Sequence, residues 1–169
     1  MTLVYIPATL ALLKQLVAEG ALSPINGTAF ALTPPLRESY AEGDDDELAE
    51  VALQEAALAS LRLLAADMGT GPADLPPRRA VLAAEIDEFR YRPDLDDAVV
   101  RLGGPVAFDQ VVAAYVDNSS AEPAVTAAID VIDAADLGDE DADLIVGDAQ
   151  DHDLAWYAHQ ELPFLLDLL

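Results

Sequence analysis

The segment from Asp44 to Met68 constrains the fold more than any other part of the chain. Its spacing predicts one long helix opened by Asp44, Asp45, Asp46 and Glu47, whose charges suit the positive N-terminal end of the helix dipole. Glu47, Glu50, Gln54 and Glu55 share a polar face, yet Leu58 and Leu61 fall on that same face further along. The second half is therefore apolar nearly all round, and such a helix needs cover on more than one side. The long helix is expected to be central.

The flanking segments supply that cover. Thr2 to Ile6 is a short β-branched and aromatic run, read as a buried strand. Thr9 can cap a helix from Leu10 to about Glu19, with Leu10, Leu13, Leu16 and Val17 as its stripe and Gly20 as its stop. Asn26-Gly27 signals a turn before a strand over Thr28 to Leu32, and Thr33 caps a helical turn that starts with Pro34-Pro35. Ala80 to Ile86, Ala98 to Leu102 and Val111 to Val116 read as strands, with Gly103-Gly104-Pro105 as a turn. Ser119 or Ser120 opens a helix with Val125, Ala128, Ile129 and Ile132 inside and Thr126, Asp130 and Asp133 outside. Leu154 to Ala158 is a last strand, and Leu162, Leu165, Leu166 and Leu169 repeat at helical spacing. The expected class is α+β, a mostly antiparallel or mixed sheet packed against several helices including the long central one. Gly69 to Pro77 is the only linker-like stretch, and what precedes it is too small and helix-heavy to stand alone, so residues 1–169 are expected to form one domain.

Charge decides which partners are excluded. The chain carries 32 acidic and 8 basic residues, a formal net charge of −24, yet 53% of it is hydrophobic, which favours a folded core under an acidic shell over disorder. Nucleic acid and anionic membranes are both polyanions, so neither is an expected direct partner. There is no cysteine, hence no disulfide, thiolate nucleophile or Cys-based zinc site. Met1 to Leu13 is apolar but lacks a positive leader and is interrupted by Pro7, and no apolar run approaches the roughly 20 residues that span a bilayer. The expected location is cytoplasmic.

Motifs for chemistry are scarce. Asp139, Asp141 and Asp143 open like a calcium loop, but Leu144 and Gln150 stand where that loop needs its turn glycine and its bidentate glutamate. Asp139 to Asp153 therefore reads as a solvated acidic loop. His152 and His159 are seven apart, which matches no metal-ligand signature, so no metal or other cofactor is expected. No serine lies in a G-x-S-x-G elbow, and no glycine set forms a P-loop or dinucleotide fingerprint. The basic residues are more informative. Arg78, Arg79, Arg90, Arg92 and Arg101 fall within the segment expected to form neighbouring strands, where together they would grip a carboxylate or phosphate by their guanidinium forks. The competing reading pairs each arginine with one of the many acids.

The stretches VYIPATL (Val4 to Leu10), NGTAFALTPPLRESYAEGDDDELAEVAL (Asn26 to Leu53) and LAWYAHQELP (Leu154 to Pro163) resemble a family of small acidic actinobacterial conserved hypothetical proteins. The resemblance implies a cytoplasmic actinobacterial protein and supplies no catalytic or ligand residues. Two functional readings follow. One is a non-catalytic interaction or regulatory protein that meets another protein through its acidic surface or its C-terminal apolar tail; an acid array that imitates the phosphates of DNA is a special case. The other is a binder of a small anionic ligand, or an enzyme acting on one, that uses the arginine-bearing sheet.

Overall fold

A computed structural model describes residues 2–40, 42–66 and 75–168. Asp67 and Met68 of the expected long helix, residues 69–74 of the linker and Leu169 of the tail lie outside the described residues.

The elements follow in order β1 (Thr2–Ala8), α1 (Leu10–Glu19), β2 (Ala21–Leu22), β3 (Thr28–Phe30), α2 (Pro34–Ser39), α3 (Asp45–Ala66), β4 (Ala80–Ile86), β5 (Phe89–Tyr91) and β6 (Val99–Leu102). They continue with β7 (Val106–Ala107), β8 (Val111–Val116), α4 (Glu122–Asp136), α5 (Glu140–Gln150), β9 (Ala155–Ala158) and α6 (Leu162–Asp167). Seven strands form one sheet in the order β5-β6-β3-β1-β4-β8-β9, and β2 pairs with β7 separately. Every pairing among them is antiparallel, so the class is α+β.

Period-2 alternation sorts the sheet residues into two cores. On one face Val4, Ile6, Leu82, Val100, Leu102 and Ala114 meet α1 and α6. On the other Tyr5, Phe30, Val81, Ala83, Val99 and Ala113 meet Leu48, Ala52, Leu53 and Ala56 of α3. A third cluster joins Leu61 of α3 to Val125, Ile129 and Ile132 of α4 and Val146 of α5. The second half of α3 is thus covered by sheet below and helices above, as its all-round apolar surface demands. Ser60, at 0% exposure, adds a polar rivet: its hydroxyl donates to the Ala8 carbonyl at 2.7 Å and accepts from the Ala80 amide at 3.0 Å.

Local capping follows the sequence. Thr9 accepts from the Leu12 amide, Thr33 from the Leu36 amide, and Gly20 closes α1 in the left-handed region at φ 77°. Strand β1 runs beyond Ile6 through Pro7 because β4 pairs it along its full length, to Ala8↔Ala80. The tail helix buries Leu162, Leu165 and Leu166 in the chain's own core, leaving Phe164 and Leu168 outward.

One segment departs from expectation. The acidic stretch Asp139 to Asp153, read above as a solvated loop, is mostly helix α5. Asp139 is its cap, accepting from the Ala142 amide at 2.9 Å, while Ala142, Val146 and Ala149 face inward. The acids concealed a narrow stripe of small apolar residues; Glu140, Asp141 and Asp143 sit in the first turn, where the dipole favours them. No helix among the described residues is long and apolar enough to cross a membrane.

Candidate anion-binding site

The five arginines singled out in the sequence have three different fates. Arg78 forms an ion pair with Glu122 at 3.0 Å and Arg92 one with Asp94 at 2.8 Å. The Arg92 guanidinium donates to the Asp94 carboxylate and holds it below the usual carboxylate range, with a smaller contribution from Arg101. Arg79 is wholly internal. Its Nε and Nη2 donate to both oxygens of Asp117 at 2.9 and 2.7 Å, Nη1 to Gln150 Oε1 at 2.9 Å, and Nη2 also to the His152 carbonyl at 2.8 Å. With both partners at 0% exposure, this pair ties β4 to β8 and to the end of α5 and is closed to any ligand.

Arg90 and Arg101 are left, and β5 and β6 bring them together. The hairpin register sets Arg90 directly opposite Arg101, with Phe89↔Leu102 and Tyr91↔Val100 on either side, so both arginines project from the same face. On its other side Arg101 faces Thr28 of β3. A row of hydroxyl, guanidinium and guanidinium therefore crosses three strands. Arg101 lies against Gly27, which sits at φ +69°; a Cβ there would meet the Leu102 carbonyl oxygen at 2.9 Å and Arg101 Cδ at 3.2 Å. Only glycine takes this conformation without strain and also leaves room for the Arg101 side chain.

Among the described residues neither Arg90 nor Arg101 makes an ion pair, although Arg37, Arg62, Arg78, Arg79 and Arg92 all do. Arg101 Nε is, among the described residues, the one buried side-chain nitrogen or oxygen without a hydrogen-bond partner. The two arginines line a cleft of about 540 Å³ with Asp87, Glu88, Phe89, Leu102 and Gly103. A second hollow of about 340 Å³ continues past Gly103 towards Pro105 and Gln110 and shares Asp87 and Glu88. The site thus offers two forked donors, one partly buried and one exposed, with carboxylates at its edge. That combination suits a compact oxyanion and opposes an extended polyanion, whose further charges would meet Asp87 and Glu88.

The histidines play no part here. His152 contributes its backbone carbonyl to Arg79, and the His159 ring packs edge-on against Phe108 at 5.5 Å. Among the described residues no three His, Cys, Asp or Glu side chains are grouped to hold a metal ion. Sequence reasoning missed Gly27 and Thr28 as site residues, because Asn26-Gly27 read only as a turn and the register that carries it to Arg101 is tertiary. Strand β5 was missed as well; its three residues are too short for a period to stand out.

The profile of one protein family matches residues 2–166, and its description is a family of unknown function (DUF6912). No curated protein and no solved structure matches the chain.

Proposed function

The chain belongs to that family of unknown function, and from this premise we propose that it binds a small oxyanion, a carboxylate or phosphate group, between the guanidinium groups of Arg90 and Arg101. The observation that supports this reading is the buried Nε of Arg101, which has no partner among the described residues, beside Arg90, which makes no ion pair among them, in a chain with 32 acids to choose from. Like charges directly opposite on neighbouring strands destabilise a sheet, by an amount comparable to the roughly 0.2–1 kcal/mol that a favourable pair contributes. A buried donor with no acceptor costs about 1–3 kcal/mol more. An oxyanion between the two guanidinium groups offsets the repulsion, and one that displaces the cover over Arg101 Nε also gives that donor an acceptor. Guanidinium stays charged at any ordinary pH, so the pair serves to hold a ligand rather than to move a proton.

Thermal unfolding in inorganic phosphate and in citrate, each at ionic strength matched with sodium chloride, tests the proposal. Selective binding to the native state raises the midpoint with ligand concentration, by an amount equivalent to about 2.7 kcal/mol at one hundred times Kd. Arg101→Met and Arg90→Gln should each abolish that rise. Arg90→Gln should also leave the ligand-free protein equally or more stable, since it removes the repulsion. Equal midpoints in all three salts would defeat the reading.

A further inference from the structure

We propose that Tyr115 and Trp156, backed by the buried Tyr5 ring and edged by Glu50 and Asp46, form a docking surface for a basic segment of a partner protein that presents arginine or lysine side chains. This surface lies at the β8–β9 end of the sheet, away from the β5–β6 hairpin, and is independent of the anion site.

Register builds the row. Tyr115 of β8 and Trp156 of β9 are direct cross-strand neighbours and share a face. Tyr5 of β1 stands opposite Ala83 of β4, whose short side chain lets the Tyr5 ring reach Tyr115 with ring centres 6.3 Å apart in an edge arrangement. Helix α3 packs over β3, β1 and β4, so cover thins out towards β8 and β9. Tyr115 is only partly buried and Trp156 is 58% exposed, which is a large aromatic area to leave in water. Tyr5 is buried and supports the Tyr115 ring from the core side.

Asp46 and Glu50 lie one turn apart and exposed on α3. Burial pushes the Tyr5 hydroxyl up to about 12, with Tyr115, Glu50 and Asp46 adding to it, and burial likewise raises Tyr115, with a smaller contribution from Glu50. Negative potential over aromatic faces is what a guanidinium or ammonium group seeks, because the ring quadrupole and the carboxylates attract it together. The net charge of −24 adds long-range steering of a basic partner towards the molecule, and the row gives such a partner a place to stop.

Trp156 is the only tryptophan, so its fluorescence reads the surface directly. A deca-arginine peptide titrated at about 0.1 M salt should change Trp156 emission with saturation. Binding followed by anisotropy of the labelled peptide should weaken roughly three- to tenfold in Glu50→Gln and in Trp156→Leu. Asp130→Asn removes the same charge from the outer face of α4 and should leave Kd unchanged. Equal weakening in Glu50→Gln and Asp130→Asn would reduce the effect to general charge attraction and overturn the proposal, as would unaltered Trp156 emission. Tetramethylammonium chloride displacing the peptide at concentrations near the peptide's own Kd would also overturn it, by making the occupant a small cation instead of a chain.

Discussion

Arg79 and Arg90 show how little residue type settles on its own. Both are arginines of the segment that follows the linker, yet Arg79, just before β4, is sealed in a bidentate pair with Asp117, and Arg90, in β5, stands exposed opposite a like charge. The difference is the partner that the fold delivers. A buried ion pair is expensive to desolvate, and removing one member strands the other, at about 3–5 kcal/mol. Arg79→Met and Asp117→Leu should therefore each destabilise by about that much in urea unfolding. The double variant should lose far less than the sum, since no orphaned charge remains. Its residual loss would report the bonds from Arg79 to Gln150 and to the His152 carbonyl. Additive losses would show that the two side chains are not coupled. From the sequence, Arg79 could be named as a candidate, but its burial could not, because Asp117 and Gln150 lie 38 and 71 positions away.

At the scale of elements, periodicity carried most of the information. The stripes of α1, α4 and α6 were legible because leucine, isoleucine and valine repeat every three or four residues, and the ends of β4 and β8 were legible from β-branched runs. Helix α5 was hidden because its inward positions hold alanine and one valine among many acids. Helix α6 offers a sharp test of inward against outward positions. Leu162 is fully buried at 0% exposure, whereas Phe164 is 72% exposed. Leu162→Ala should cost about 2–5 kcal/mol through lost burial and the cavity it leaves. Phe164→Ala should stay within about 0.5 kcal/mol, as surface changes usually do. Similar losses in denaturant midpoints for the two would mean that the helix docks through another face.

The whole molecule carries its charge as a burden on stability. The ion pairs seen among the described residues are few against 32 acidic residues and 8 basic ones, so repulsion among like charges works against the compact state. Added salt shortens the Debye length, from about 10 Å at 0.1 M towards 3 Å at 1 M, and should relieve it. The thermal midpoint should rise between low-salt buffer and roughly 0.5 M sodium chloride. An unchanged midpoint would mean that the acids are spaced widely enough to ignore one another. Anion binding at Arg90 and Arg101 would add to this general effect, so sodium chloride is the proper baseline for phosphate and citrate.

Taken alone, the amino-acid order determined whatever depends on near neighbours: the α+β class, the long helix that needs cover on several sides, the caps at Thr9 and Thr33, and the scarcity of catalytic motifs. It also placed five arginines in one segment. Only the tertiary structure decided which of them met an acid, because ion pairing and strand register depend on distances that no spacing along the chain encodes. The juxtaposition of Gly27, Thr28, Arg90 and Arg101 arises from two antiparallel pairings of β6, one with β3 and one with β5. The aromatic row arises likewise, since Tyr5, Tyr115 and Trp156 belong to strands separated by most of the chain and meet only when β4 and β8 carry them to one face.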